Sequence, residues 1–281
     1  MITWKRVGLG LVCLLGLCAA AYWRAAGAAG RHAGIPDDTL AVQAAASAPG
    51  RIACLTFDDG PSDNTAAIAD ILAEYGAPAT FFVTAQEQNL PHYGQLPALL
   101  AAGHQIALHS ASHRYEQIYA DSTSFWLDIK ALRQALEPYV PAEDLTWLRF
   151  PGGSTNTVSH RYGGRQIMQR LKTEAEEKGY RWIDWNVCGE DATAAHPDAE
   201  TIFRNVRSTA EDKTVCIVLL HDTRACGETV KALPQILAWF EQEGYRFCTV
   251  EEMARLTDTP APSPTPVPDP PAGGGGGGGG G

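Results

Sequence analysis

Two adjacent carboxylates, Asp58 and Asp59, stand where an apolar run, residues 52–57, meets a Gly-Pro turn. Where a strand ends the backbone turns, so neighbouring side chains can reach a single cleft. Two such acids repel each other unless a cation or a proton lies between them. The pair therefore indicates a site that binds a metal ion or performs acid–base chemistry.

Two histidines further along the chain, His109 and His113, are the natural companions of these acids. Their i, i+4 spacing predicts that both imidazoles lie on one side of a helical turn, where they can share a metal ion. One carboxylate and two imidazoles make three protein ligands and leave a zinc-like ion an open position for water. Taken alone, the histidines fit an exposed helical pair or ordinary core residues about as well as they fit a metal site. The acidic pair in the same chain favours the metal site.

Short apolar runs alternate with longer amphipathic stretches from Arg51 onward, which predicts βα units of an α/β fold. The predicted strands are 52–57, 79–84, 104–108, 145–150, 180–187, 214–220 and 245–250. The predicted helices lie near 63–75, 93–102, 121–136, 164–178, 198–211 and 228–243. The run 214–220 is almost continuously apolar, as is typical of parallel strands buried on both faces. By pattern alone, one barrel and one open sheet fit this alternation equally well.

Polar and glycine-rich segments follow five of the predicted strands. They are 58–60, 109–113, 151–153, 188–191 and 221–222. In a βα barrel the loops after the strands build the active site at one rim. We therefore expect these five segments to meet there.

The same segments resemble the five motifs of the polysaccharide deacetylases, carbohydrate esterase family 4. The motifs are, in chain order, Thr56-Phe57-Asp58-Asp59-Gly60-Pro61, His109-Ser110-Ala111-Ser112-His113, Arg149-Phe150-Pro151, Trp185-Asn186-Val187-Cys188-Gly189-Glu190-Asp191 and Leu219-Leu220-His221. The resemblance covers roughly residues 51–256. It implies a distorted (β/α)7 TIM-like barrel and a metal-dependent enzyme that hydrolyses acetyl groups on sugars.

The resemblance also implies a metal and a base. Asp59, His109 and His113 would bind Zn²⁺ or another divalent cation such as Co²⁺. Asp58 would be the general base, and Arg149 would hold and orient it, because a guanidinium pairs well with a carboxylate.

The remaining motif residues would act on the leaving group and the substrate. His221 would be the general acid, kept protonated by Asp191, although Asp222 is an alternative partner. A backbone N–H near Gly152, after Pro151, would help to stabilise the oxyanion. Leu219 and Trp185 would line a pocket for the acetyl methyl group, or they are plain core residues.

Two positions depart from the family pattern. Gly152 stands where many members have Tyr, and Ala192 stands where the fourth motif usually has Trp. An aromatic wall of the substrate groove is missing at each place, so the groove is wider unless other aromatic side chains fill it. These departures affect the choice of substrate more than the chemistry.

Composition and the chain ends set further limits. A net charge of −10 argues against a nucleic-acid partner, and 45% hydrophobic residues allow a sizeable core. Lys5 and Arg6 precede an apolar run, 7–22, so residues 1–30 are predicted to be a signal peptide or a single N-terminal membrane anchor. Residues 31–50 would be a linker, 51–256 the catalytic domain and 257–281 a disordered Pro/Gly-rich tail. The enzyme would be a monomer outside the cytoplasm, secreted or anchored to the membrane and facing outward.

The cysteines divide into two groups. Cys54, Cys216 and Cys248 fall in apolar runs and are expected to be small buried hydrophobic residues. Cys188 and Cys226 fall in loops after strands, where a disulfide between them is conceivable.

Three functions are compatible with these features. The leading one is N-deacetylation of an acetylated amino-sugar polymer, with peptidoglycan first because an export signal places the enzyme at a cell envelope; chitin-type oligosaccharides and acetylxylan stay open. A second is hydrolysis of other C–N bonds, such as those of cyclic imides, on the same fold. A third is a non-catalytic glycan-binding module, which predicts loss of catalytic positions, whereas all of them are present.

Overall fold

The structure is a computed structural model that describes residues 50–258. The predicted signal or anchor, the linker up to residue 49 and the tail from residue 259 lie outside the described residues. Between residues 50 and 258, no helix combines the length and the apolar character needed to cross a membrane.

Eight strands of this range form one curled, parallel sheet. They are β1 (Ile52–Asp58), β2 (Ala79–Thr84), β3 (Gln105–Ser110), β4 (Trp147–Leu148), β5 (Arg181–Trp182), β6 (Val187–Cys188), β7 (Val215–His221) and β8 (Arg246–Phe247). The order across the sheet is β5-β4-β3-β2-β1-β7-β6. On one edge of β1, β2 pairs from Leu55 onward and β8 pairs with Ile52 and Ala53. All seven residues of β1 are buried, which explains its continuous apolar run.

Nine α-helices follow or connect these strands in the described range. They are α1 (Thr65–Glu74), α2 (Leu96–Ala101), α3 (Tyr115–Ile118), α4 (Ser122–Leu136), α5 (His160–Gly163), α6 (Ile167–Glu177), α7 (Ala199–Ala210), α8 (Gly227–Gln242) and α9 (Val250–Asp258). Two 3₁₀ turns, Leu90–Gln95 and Ala142–Asp144, complete the set. Asp121 and Asp198 cap α4 and α7 by accepting hydrogen bonds from the N–H groups of Ser124 and Thr201, which satisfies donors that the first helical turn leaves free.

The predicted α/β class and distorted barrel are confirmed, but one predicted strand is wrong. The run 180–187 divides into β5, which pairs with β4, and β6, which pairs with β7. Strands β5 and β6 are the two ends of the sheet path. Residues 183–186 therefore cross from one end of the sheet to the other; we call this segment the seam. A continuous strand cannot make that crossing, and the apolar pattern alone does not reveal it.

The cysteines follow the simpler of the two expectations. Cys54, Cys216 and Cys248 are buried, and the Sγ atoms of Cys54 and Cys248 lie 3.6 Å apart inside the apolar packing at the start of β1. Cys188 and Cys226 are free thiols, so the disulfide between them is not formed.

Candidate active site

The predicted site residues lie at the carboxyl ends of the parallel strands. Asp58 ends β1 and is the register partner of His221, which ends β7. His109 is the penultimate residue of β3, and Arg149 follows β4 directly. Because parallel strands all end at the same rim, residues distant in sequence meet in one cleft.

Asp59 and the two histidines form a compact cluster. The Oδ1 atom of Asp59 lies 3.6 Å from Nε2 of His109 and 3.4 Å from Nε2 of His113. One ligand atom from each residue lies within 4.8 Å of the other two, which is the arrangement of a metal site. Asp59 has a left-handed backbone, φ 70°, which turns its carboxylate away from the strand direction and toward the histidines.

The predicted helical stacking of the two histidines is wrong. His109 belongs to a strand, and His113 lies in the loop after it with φ 53°. The loop folds back because Asp128 of α4 accepts hydrogen bonds from the Oγ of Ser110 and from the N–H groups of Ala111 and Ser112. The imidazoles therefore converge through a folded loop rather than through helical spacing.

The protonation of His109 suits metal binding. Its Nδ1 lies 2.8 Å from the carbonyl oxygen of Arg149, and only a protonated nitrogen can donate to that oxygen. In the neutral ring the lone pair is then on Nε2, which faces Asp59. Burial lowers the pKa of both His109 and His113, which favours the neutral, ligating form.

Asp59 Oδ1 provides the test of whether a cation fits. Of the buried side-chain polar atoms in residues 50–258, it is the one without a hydrogen-bond partner. Burial raises the pKa of Asp59, because the carboxylate has lost its water. An unpaired buried carboxylate oxygen is costly, and a divalent cation between it and two neutral imidazoles removes that cost. The donor set therefore fits a divalent metal ion.

Arg149 holds the second carboxylate. Its Nη1 donates to Oδ1 of Asp58 at 2.8 Å, and the guanidinium is fully buried. Further hydrogen bonds run from Arg149 to Thr56 Oγ1 at 2.8 Å and to the carbonyl oxygens of Ile183 and Asp184 at 3.2 Å. The guanidinium also stacks 4.2 Å over the ring of Phe82. These contacts fix Asp58 in one orientation and compensate its buried charge.

His221 pairs with Asp191 and not with its neighbour Asp222. The Nδ1 of His221 lies 2.8 Å from Asp191 Oδ1, while Asp191 Oδ2 accepts from Thr229 Oγ1 at 2.7 Å. Burial lowers the pKa of His221, but the hydrogen bond and charge of Asp191 and the nearby acids outweigh burial and raise it to about 9. The carboxylate of Asp222 instead accepts from Ser62 and Thr65 in the turn after β1. His221 is therefore equipped to carry a proton at neutral pH.

The comparison with known proteins agrees with this geometry. The family model for polysaccharide deacetylases matches residues 45–174. A peptidoglycan-N-acetylglucosamine deacetylase of Bacillus cereus is 34% identical over 208 residues, which cover 73% of this chain and 89% of the relative. The chain belongs to the polysaccharide deacetylase family. It is therefore an enzyme, a hydrolase of carbon–nitrogen bonds other than peptide bonds, and the family is metal-dependent.

Other relatives extend the range of polymers and support the fold. A chitin deacetylase of Arthroderma benhamiae is 33% identical over 202 residues, 70% of this chain and 50% of the relative. Among solved structures, the catalytic domain of a peptidoglycan N-acetylglucosamine deacetylase from Eubacterium rectale superposes with a TM-score of 0.67 at 35% identity. That match covers 72% of this chain and 89% of that domain.

The predicted substrate-binding residues and the two positions that depart from the family pattern differ in their exposure. Pro151 is buried, and its carbonyl accepts from the Tyr119 hydroxyl at 2.7 Å. Gly152, with φ 77°, is exposed, and so is Ala192. Trp185 is half-buried beside Arg149, 5.7 Å from the guanidinium to the ring centre, and Leu219 retains 6% exposure. Gly152 is exposed and Trp185 half-buried, whereas Leu219 is buried.

Three residues that support the site were not predicted from the sequence. Asp128 organises the histidine loop, as described above. The amide of Asn89 donates to the carbonyl oxygens of Asp59 at 2.8 Å and Pro61 at 2.9 Å, which holds the turn that carries the acids. Asp184 accepts from the N–H and the Oγ of Ser154 and so fixes the glycine turn. Polar residues of this kind carry no signal in a single sequence, because they look like ordinary surface residues.

Proposed function

We propose that this enzyme removes N-acetyl groups from an amino-sugar polymer, with peptidoglycan as the first choice of substrate and Zn²⁺ as the first choice of metal. The observation that carries the proposal is the cluster of Asp59, His109 and His113, with Asp58 held by Arg149 beside it. A set of ligands for one metal ion, a fixed carboxylate and a protonated histidine together provide what amide hydrolysis requires.

The metal would be held by the Oδ1 of Asp59 and the Nε2 atoms of His109 and His113. When bound there, a divalent ion supplies a water of lowered pKa and polarises the acetyl carbonyl. Co²⁺ remains an alternative, because the same donors accept several divalent ions.

Asp58 would take the proton from the attacking water. Its Oδ1 is occupied by Arg149, so Oδ2, which lies 3.7 Å from His109 Nε2, is the oxygen that faces the cluster. The hydrogen bond from Arg149 to Oδ1 keeps Oδ2 of Asp58 in position. A proton acceptor in a fixed position next to the reacting water is what a general base requires.

His221 would protonate the departing amine. An amide anion is a very poor leaving group, so the C–N bond breaks only if nitrogen gains a proton. Nδ1 of His221 is engaged by Asp191, which leaves Nε2 as the proton donor. Because its pKa is raised, His221 is protonated at neutral pH and can donate this proton.

The choice of polymer is supported by the relatives and by the predicted export signal. The Bacillus cereus and Eubacterium rectale proteins carry the name peptidoglycan N-acetylglucosamine deacetylase. The N-terminal pattern of Lys5, Arg6 and an apolar run favours action outside the cytoplasm, where peptidoglycan lies. Chitin-type oligosaccharides remain the alternative, since a chitin deacetylase is nearly as similar.

Acetate release from peptidoglycan, chitin oligomers and acetylxylan, with metal analysis of the same sample, tests the proposal. We expect the largest kcat/KM on peptidoglycan, with one divalent ion per chain. The Asp58→Asn variant should retain the metal and release no acetate. Ring opening of a cyclic imide without acetate release would favour the other C–N hydrolysis, and a metal-free, inactive protein would favour a binding module.

A further inference from the structure

Tyr115 fills the space that a side chain at position 152 would occupy. A Cβ atom added to Gly152 would lie 2.6 Å from the Tyr115 hydroxyl oxygen and 3.2 Å from Cε1 of its ring. Gly152 is where many family members carry Tyr, and its φ of 77° also favours glycine. The aromatic group absent from the loop after β4 is thus supplied from α3, where Tyr115 is the first residue.

Tyr115 borders the metal cluster. Its ring packs edge to face on His113, with 5.6 Å between the ring centres, and contacts Tyr119 at the same distance on the other side. A tyrosine hydroxyl can donate one hydrogen bond.

The Tyr115 hydroxyl differs from those of the two buried tyrosines nearby. The hydroxyls of Tyr93 and Tyr119 donate to the carbonyl oxygens of Thr84 and Pro151. Tyr115 has no hydrogen-bond partner for its hydroxyl within residues 50–258, although its ring is held by neighbours on both sides. A rigid ring that presents an unused donor to an exposed glycine is suited to a ligand rather than to the core.

The glycine pair after Pro151 also admits a second aromatic side chain. A Cβ at Gly153 would lie 3.1 Å from Cη2 of Trp185. Tyr115 and Trp185 come from different segments, and each approaches one of the two neighbouring glycines of this turn. The groove that appeared open from the sequence at Gly152 therefore has a wall, and that wall carries a hydroxyl.

We propose that the Tyr115 hydroxyl donates a hydrogen bond to the acetamido oxygen of the substrate, next to the backbone N–H of Gly152. This inference rests on the proposed deacetylase function. As the oxygen gains charge in the tetrahedral state, a donor already in place stabilises it more than it stabilises the ground state. Tyr115 would then be a catalytic residue contributed by α3 and specific to chains with glycine at position 152.

The test compares Tyr115→Phe, which removes only the hydroxyl, with Tyr162→Phe, which removes an exposed one. The substrate is an N-acetylglucosamine tetrasaccharide, and metal content and Tm are measured on each variant. We expect Tyr115→Phe to keep its metal and its Tm while kcat falls about 10- to 100-fold with little change in KM. Tyr162→Phe should match the wild type.

A kcat/KM of Tyr115→Phe within twofold of the wild type would overturn the role of the hydroxyl and leave the deacetylase function intact. Failure of the wild type to release acetate from any glycan would overturn both. In a second variant, Gly152→Ala, the added methyl group must push the Tyr115 ring aside, and the backbone at position 152 is strained as well. We expect a similar loss of kcat there, and no added loss when Tyr115→Phe is combined with it.

Discussion

Nη1 of Arg149 lies 2.8 Å from Oδ1 of Asp58, with the guanidinium fully buried and the carboxylate 5% exposed. A buried ion pair contributes little net stability when intact, but removing one partner leaves an uncompensated charge. In the proposed mechanism, Arg149 therefore links folding and catalysis, because it holds the proposed base Asp58.

Replacement of Arg149 should expose that link. We expect Arg149→Ala to lower the free energy of unfolding by about 3–5 kcal/mol and to abolish acetate release, because Asp58 loses its partner. Urea unfolding and acetate assays measure the two effects. Arg114→Ala, which breaks an exposed ion pair with Glu116, should change stability by less than about 1 kcal/mol. Equal losses in the two variants would contradict the special role of the buried pair.

The pH profile should depend on Asp191. His221 must be protonated to act as an acid, so activity falls as the pH rises through its pKa, which is about 9 in this environment. Asp191→Asn removes the charge that raises this pKa, and the alkaline limb of kcat/KM should move to lower pH. Thr229→Val removes only the hydroxyl that donates to Asp191 Oδ2, so it should shift the alkaline limb by less. An unchanged alkaline limb in Asp191→Asn would exclude His221 as the group that titrates there.

The same pKa shift predicts a pH dependence of stability. The folded-state pKa of His221 is raised above its ordinary value of 6.5 to about 9. Its contribution to stability is fully present below pH 6.5 and is lost as the pH rises toward 9. The free energy of unfolding, measured by urea at pH 6 and pH 9, should fall less in Asp191→Asn than in the wild type. A fall of the same size in both proteins would count against the pairing.

Metal binding should stabilise the fold through Asp59. A ligand that binds only the folded protein raises Tm, and the rise grows with the logarithm of the free ligand concentration once that exceeds Kd. Zn²⁺ added to chelator-treated protein should therefore raise the Tm of the wild type and of Asp58→Asn, but not that of His113→Ala. A Tm increase in His113→Ala equal to that of the wild type would place the ion elsewhere.

Asp128 should matter for the metal although it is not one of the candidate ligands. Its carboxylate holds the loop between His109 and His113 through three hydrogen bonds, so Asp128→Ala should weaken Zn²⁺ affinity about 10- to 100-fold. Asp121→Ala removes the N-terminal cap of the same helix and should cost about 1 kcal/mol of stability without changing affinity. Zinc titration and urea unfolding of both variants separate loop positioning from helix stability.

The sequence predicted the parts of the fold that depend on local pattern. Runs such as 52–57 and 214–220 became β1 and β7, because strands buried on both faces must be apolar throughout. The motifs also indicated which side chains meet at the rim. The pattern could not predict the break in 180–187, because that break is imposed by the crossing between the two ends of the sheet.

The contacts between distant segments could not be predicted from the sequence either. The i, i+4 spacing of His109 and His113 suggested a helix. Asp128 instead accepts hydrogen bonds from the N–H groups between them and holds this segment as a loop. For His221 the sequence analysis assigned Asp191 as the partner and left Asp222 as an alternative. The structure decides between them, because Asp222 accepts from Ser62 and Thr65. In each case the outcome depends on which donor from another element lies within reach.

The seam, residues 183–186, gives the barrel a mechanical consequence. Its carbonyl oxygens at Ile183 and Asp184 accept from Arg149, the side chain that orients Asp58. A fluctuation that displaces residues 183 and 184 would break these two hydrogen bonds of Arg149. In the proposed mechanism, a molecule with the seam displaced would lack a positioned base. Amide exchange along the seam should then report the fraction of molecules in that state.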